Sequence, residues 1–307
     1  MSVQSAARAN ARNGAVQGIA WMLLTGLLFV SVTGIVRHLG SDMNAAQAAF
    51  VRYFFGLVML VPVFVRQRPA AGIYSRRIGL HALRGVVHGL AVMLWFYAMA
   101  RIPIAQVTAL GFTAPLFTAV GAALFLGERI QARRLGAILC GFAGALVILR
   151  PGFVAVDVGA LAQLTAAPLF ATSFLIAKKL TETEPSATIV AYLAVFVTLA
   201  LMPPALFAWR APSGLELMWL ATTAVFATLG HYTLTRAFQA TAITLTQPFS
   251  FLQLVWATVL GYVAFGEEPD GWTWLGGAMI VGSATYIAYR ESRRRAPAAT
   301  PPKGDEI

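Results

Sequence analysis

The chain has 307 residues, 58% of them hydrophobic and 11% charged, with a mean hydropathy of +0.72 and a formal net charge of +11. A soluble domain carries about 25% charged and about 45–50% apolar residues, so this chain cannot cover a water-facing surface. Disordered, collagenous and disulfide-scaffold classes fail on the same figures. The single cysteine, Cys140, precludes an intramolecular disulfide.

Apolar stretches at 16–39, 44–65, 79–100, 103–126, 133–150, 158–180, 187–209, 216–238, 242–265 and 272–290 predict ten spanning helices. Each approaches the roughly 20 residues that a bilayer requires. Short breaks separate them, among them Arg66-Gln67-Arg68-Pro69, Thr181-Glu182-Thr183-Glu184-Pro185 and Glu267-Glu268-Pro269-Asp270-Gly271. Arg101-Ile102-Pro103 has to be a tight turn, and proline disfavours helix in the residue before it. Residues 1–15 read as a basic leader. The first apolar stretch is longer than a signal-peptide core of about 7–15 residues, so it is expected to stay as a helix. Residues 292–307, rich in Pro, Ala and Arg, read as a mobile tail.

With ten spans, 18 of the 23 Lys and Arg residues fall on the side that holds both termini, four on the other, and Arg52 inside a span. The positive-inside rule then puts both termini in the cytoplasm. The charge is therefore a topology signal, and nucleic acid is not expected as a partner. The implied location is a bacterial cytoplasmic (inner) membrane.

An internal repeat runs through the chain. Gly127-Glu128 and Gly266-Glu267 lie 139 positions apart, and the same offset carries Ala98 onto Ala237, Met99 onto Phe238, Phe112 onto Phe251 and Leu126 onto Phe265. Nearer the start the offset is 141, carrying Gly18 onto Gly159, Arg37 onto Lys178, Leu39 onto Leu180 and Pro62 onto Pro203. Two units result, 16–152 and 157–291, with five spans each. Five is odd, so the second unit enters the membrane from the opposite face. Inverted-topology repeats of this kind recur in secondary transporters, whose substrate sites lie near the midplane between the halves. The expected fold is an all-α membrane protein with ten transmembrane helices in two inverted five-helix repeats.

Two tandem five-helix units, each with a fourth helix ending in an aliphatic or aromatic residue, Gly and Glu, resemble the paired EamA domains of the drug/metabolite transporter superfamily. The stretches carrying the resemblance are Ala109 to Arg150, with Pro115 and Gly127-Glu128-Arg129, and Pro248 to Arg290, with Gly266-Glu267. Within the superfamily the overall pattern is most similar to YddG-type exporters of aromatic and other amino acids. The resemblance implies alternating-access transport of small metabolites, with export of amino acids as the specific expectation. The second unit departs from the pattern, with Leu254 where Pro115 would recur and Glu268 where Arg129 would.

All twelve carboxylates lie at span ends or in loops. Intramembrane carboxylates usually serve proton relays or cation sites, so their absence weighs against a cation antiporter. Arg52 lies about 12 Å along span two. A buried guanidinium there suits a substrate carboxylate, or it snorkels outward toward Asp42. In span three Arg84, His88, Trp95 and Met99 share one helix face. Trp95 and Trp256 lie away from the interfaces that tryptophan prefers and are candidate cavity walls, or ordinary packing. In span eight His231 and Tyr232 are adjacent, so at most one points straight into a cavity. The histidines either bind substrate or bond to neighbouring helices.

Thr108 and Phe112 pair with Gln247 and Phe251 under the 139 offset, each pair at i, i+4, with Pro115 and Pro248 nearby. Ser173 is a further polar candidate. Substrate-binding candidates are thus His88, Trp95, Thr108, Phe112, His231, Tyr232, Gln247, Phe251 and Arg52. Gly136, Cys140 and Gly144 form a small-residue face for packing within the fold or between protomers of a homo-oligomer. Nothing points to catalytic residues, a cofactor or a metal, so an enzyme is not expected. The partners implied are a small-molecule substrate and the lipid bilayer. A drug or organic-cation exporter on the same fold and a non-transporting membrane scaffold remain as alternatives.

Overall fold

The computed structural model describes residues 3–66, 75–117, 120, 132–153, 155–241, 246 and 249–295. Ten helices of eight or more residues follow one another among them: α1 (Val3–Leu39), α2 (Ala45–Arg66), α3 (Ile78–Met99), α4 (Ile104–Gly111), α5 (Ala132–Leu149), α6 (Val158–Leu180), α7 (Ser186–Phe207), α8 (Gly214–Ala240), α9 (Leu252–Phe265) and α10 (Gly271–Arg295). The segments Gly14–Leu39, Ile78–Met99, Val158–Leu180 and Ser186–Phe207 are long and apolar enough to cross a membrane. Ala45–Val61, Ile104–Phe117, Leu135–Leu149 and Leu252–Phe265 are shorter apolar helices.

Local chemistry sets the helix ends. Pro103 and Pro185 stand at the N-caps of α4 and α7, where a missing N–H costs nothing. The Asp157 side chain accepts from Gly159 N at the start of α6. Ser213 and Glu216 close a reciprocal capping box on α8. Gly266 ends α9 at φ 64, a left-handed turn that glycine adopts without a Cβ clash. Asp270 receives Thr273 N at 2.8 Å and Arg150 Nη2 at 2.9 Å. Desolvation opposes ionisation there, but the bonds from Thr273 and the Arg150 charge together hold this carboxyl below its ordinary range.

The contacts at the helix ends show an up-and-down bundle. One end joins the turns after α1, α3, α5, α7 and α9. There Arg37 reaches Glu267 and the Met99 carbonyl, Arg150 meets Asp270, and Gln47 bonds both backbone groups of Arg210. The other end joins the turns before α3 and after α6 and α8. There Ser75 and His81 meet Glu184, Ser186 meets Gln239, and Lys178 reaches the carbonyls of Phe238 and Thr241.

Helix packing follows an interchange of halves. The α1–α8 contact has its counterpart in α3–α6, α3–α7 in α2–α8, and α2–α3 in α7–α8. The pairs α2–α7, α4–α9 and α5–α10 each join corresponding helices of the two halves. At the α5–α10 crossing, a Cβ on Gly276 would stand 2.4 Å from the Gly144 carbonyl oxygen, and one on Gly144 2.7 Å from that of Gly276. Of the small-residue face expected on α5, Gly144 makes this close contact within the fold. Gly136 meets nothing within 4 Å and Cys140 is exposed, so the close approaches run through Gly141 and Gly144.

The outer surface is apolar, unlike that of a soluble protein, while the largely apolar interior also holds a set of buried polar groups. Leu27, Phe54, Val58, Leu83, Leu90, Leu175 and Val259 point outward, while Thr25, Gln47, Arg52, Arg84, His88, Gln163 and His231 are buried. A lipid-facing surface demands this arrangement, because unpaired polar groups are expensive in hydrocarbon.

Candidate functional site

Two breaks mark the middle of the bundle. The helix of α4 stops at Gly111, and Phe112 and Thr113 form a turn before the chain resumes helix at residues 114–117. Pro115 has no N–H to return to the carbonyl four residues earlier, which accounts for the interruption. In the second half Phe251 is the N-cap of α9. The two phenylalanines meet edge to face with centroids 4.9 Å apart. Thr108 is buried, but its hydroxyl donates to the Ile104 carbonyl at 2.9 Å and stays within its own helix. Gln163 of α6, which sequence reasoning missed, lies against this break. Its Nε2 is 3.0 Å from where a Gly111 Cβ would be, and its buried Oε1 has no partner.

Beside the breaks, α1, α2, α3, α6 and α8 bring together a second group of side chains. His88 of α3 is buried and its Nδ1 lies 2.9 Å from Ser173 Oγ of α6. Its ring packs edge to face on His231 of α8 at 5.0 Å and on Phe170 at 5.3 Å. His231 in turn meets Phe29 of α1 at 5.2 Å, and Phe170 meets Trp95 at 5.9 Å. Tyr53 of α2 closes the group, 6.3 Å from the His88 ring. A hydroxyl pair, Thr25 with Thr233 at 2.8 Å, ties α1 to α8 next to it.

Several polar atoms in this cluster are buried without a hydrogen-bond partner among the described residues: His88 Nε2, His231 Nδ1, Tyr53 Oη, Arg52 Nε, and Arg84 Nε and Nη2. Buried polar groups are normally satisfied, so this concentration makes the cluster the candidate site. Arg52 is 4% exposed and lies 3.8 Å over the Tyr53 ring. The outward reach toward Asp42 is thus not the geometry adopted. Arg84 is 1% exposed, with one long bond from Nη1 to the Ile189 carbonyl at 3.4 Å.

The expected site residues therefore sort by position. His88, Trp95, His231 and Arg52 belong to one cluster, and Phe112 and Phe251 to the paired breaks. Of the adjacent pair, His231 is buried and Tyr232 only half-buried. Gln247 and Pro248 lie outside the described residues. Trp256 is corrected as a cavity wall, since it is 39% exposed on the outer surface. Tyr53, Phe29 and Phe170 were not foreseen, nor was Phe174, whose ring lies 6.5 Å from that of His88. Arg84 was visible on the His88 face but not singled out.

The comparisons with known proteins agree with this architecture. Residues 16–150 and 157–289 each match the EamA-like transporter family. The chain is 34% identical over 283 residues to a riboflavin transporter of Rhizobium johnstonii, covering 91% of this chain and 93% of that protein. It is 31% identical over 277 residues to an S-adenosylmethionine uptake transporter of Rickettsia felis, covering 90% and 94%. A crystal structure with 18% sequence identity superposes with a TM-score of 0.61, over 92% of this chain and 99% of that one, and so shares the fold. The protein is a multi-pass membrane protein, and it belongs to the EamA-like transporter family, in two tandem copies of the domain.

Proposed function

We propose that the protein is a secondary transporter that carries small amphipathic metabolites by alternating access, with amino acids, aromatic ones included, as its substrates and export as its direction. The observation that carries the proposal is the buried cluster around His88 and His231, where aromatic rings and unpartnered polar atoms converge from both halves. Rings suit an apolar side chain, and unpartnered donors suit the polar groups of an amino acid. The export direction rests on the resemblance to aromatic amino-acid exporters. The reading involves no catalytic step.

The two halves are read as inverted repeats, 16–152 and 157–291, with residues 1–15 and 292–307 outside them. The interchange of helix contacts and the Phe112–Phe251 pair support this. The Lys and Arg bias supports cytoplasmic termini in an inner membrane. Labelled phenylalanine and threonine, assayed for flux in proteoliposomes, test the proposal. Flux above protein-free liposomes is expected, and equal flux with and without protein refutes it.

A second reading is favoured by the Rhizobium relative: a larger ring-bearing solute such as riboflavin is the substrate. Adding labelled riboflavin to the same flux panel separates the two, because a riboflavin carrier moves it faster than either amino acid.

A further inference from the structure

Two buried guanidiniums, those of Arg52 and Arg84, have no carboxylate partner among the described residues. Arg52 is the eighth residue of α2 and Arg84 the seventh of α3. At about 1.5 Å per residue they lie roughly 10 Å and 9 Å in from opposite ends of antiparallel helices, with His88 one turn beyond Arg84 toward the centre. The Arg52 guanidinium lies 3.8 Å over the Tyr53 ring, that ring is 6.3 Å from His88, and His88 meets His231 at 5.0 Å and shares its face of α3 with Arg84. Among the described residues neither arginine forms an ion pair. Tyr53, the side chain beneath Arg52, is a neutral phenol.

Burying an unpaired cation carries a heavy desolvation penalty, and buried charges are normally paired. Packing does not demand these two. At the 141-residue offset Arg52 corresponds to Leu193, itself 2% exposed, and at the two repeat offsets Arg84 falls on Thr223 or Val225. The second half therefore builds the corresponding helices without a charge at either place. The arginines also keep free donors, Nε on both and Nη2 on Arg84. Planar guanidinium forks are suited to bidentate recognition of carboxylate and phosphate.

We propose that Arg52 and Arg84 form the binding site for an anionic group, a carboxylate or a phosphate, on the transported solute, and that the rings of Tyr53 and Phe170 hold the part next to it. The proposal deepens the transport reading and rests on it. It assigns the solute a negative charge at the cluster and makes organic cations poor substrates, since two fixed positive charges repel them.

The test uses the full-length purified protein in nanodiscs, with benzoate, phenyl phosphate, benzamide and benzylamine as probes and the thermal unfolding midpoint as readout. Benzoate and phenyl phosphate raise the midpoint saturably, and the stronger of the two identifies the headgroup as carboxylate or phosphate. Benzamide and benzylamine leave it unchanged. Arg52→Gln and Arg84→Gln each weaken the anion response by about ten-fold or more, and Arg52→Lys and Arg84→Lys keep part of it. A benzamide response equal to that of benzoate overturns the proposal, as do wild-type responses in both Gln variants. If the Gln variants fail to fold, the wild-type ranking of benzoate against benzamide decides alone. Equal flux of phenylalanine and its amide refutes the anion site while leaving transport intact. Anion-specific stabilisation without flux of any solute does the reverse.

Discussion

Phe112 and Phe251, 139 positions apart, place their rings edge to face with centroids 4.9 Å apart and planes inclined by 85°. Each stands at an interruption of its helix, one closing α4 and the other opening α9. Residues that correspond under a repeat touch each other only where a relating axis runs between them, which is what the proposed inverted repeat requires of this pair. An edge-to-face aromatic pair contributes about 0.5–1.5 kcal/mol beyond its burial. Phe112→Ala, Phe251→Ala and the double variant, followed by detergent unfolding titration, should give a coupling energy in that range. Strict additivity would show that the rings do not meet.

The α5–α10 crossing makes a sharper prediction. A methyl group at Gly276 would collide with the backbone carbonyl of Gly144 at 2.4 Å, which no side-chain rotation relieves. Gly276→Ala should therefore lower the thermal midpoint markedly and reduce the monodisperse fraction on size exclusion. Gly136→Ala, on the same helix as Gly144 with open space around it, should change neither.

The carboxylate of Glu267 receives Arg37 Nε at 2.7 Å on Oε1 and the Ile104 backbone N–H at 2.8 Å on Oε2. One side chain thus ties α1, the start of α4 and the end of α9 at a single end of the bundle. Glu267→Gln removes the charge, and the loosened end should admit reagents. In a Cys140→Ala background, the buried Ala105 position changed to cysteine should react faster with a membrane-impermeant maleimide once Glu267 is Gln. An unchanged rate would mean that this tie does not hold the end shut.

Among the described residues Ser173 gives His88 its one hydrogen bond, Nδ1 to Oγ at 2.9 Å, while Nε2 has no partner. Ser173→Ala leaves both ring nitrogens unsatisfied in the core, at a cost of about 1–3 kcal/mol. The thermal midpoint should drop and solute flux should fall with it. Ser173→Thr, which keeps the hydroxyl, should restore part of each. A Ser173→Ala protein as stable and active as the parent would remove His88 from the site.

What the sequence made legible depended on the repeat and on periodicity. The 139 offset paired Phe112 with Phe251 before any contact was known, because both phenylalanines recur with the Gly-Glu motif. Helical spacing put Arg84, His88 and Trp95 on one face. Periodicity identifies a face but not the neighbour it meets. Trp256, deep in its span, therefore turned outward, and the Gly136–Cys140–Gly144 face contributed only Gly144 to a crossing. Phe170 reaches His88, and Phe29 reaches His231, only through packing between helices far apart in sequence, so no local pattern announced them; Ser173 was a polar candidate, but nothing local tied it to His88. Tyr53 escaped notice because it is adjacent to Arg52, where a helical face would not place a partner. Its ring nonetheless lies beneath that guanidinium.

The glycine crossing also constrains how such a molecule can move. Where Gly144 and Gly276 meet, each backbone has closed to the distance at which no side chain fits between them. Two rods touching at one such point can roll or tilt on it but cannot part without losing the whole contact. In an alternating-access cycle the crossing would act as a fulcrum, shut while the helix ends on either side swing. A rocking exchange of access from one face to the other would pivot there.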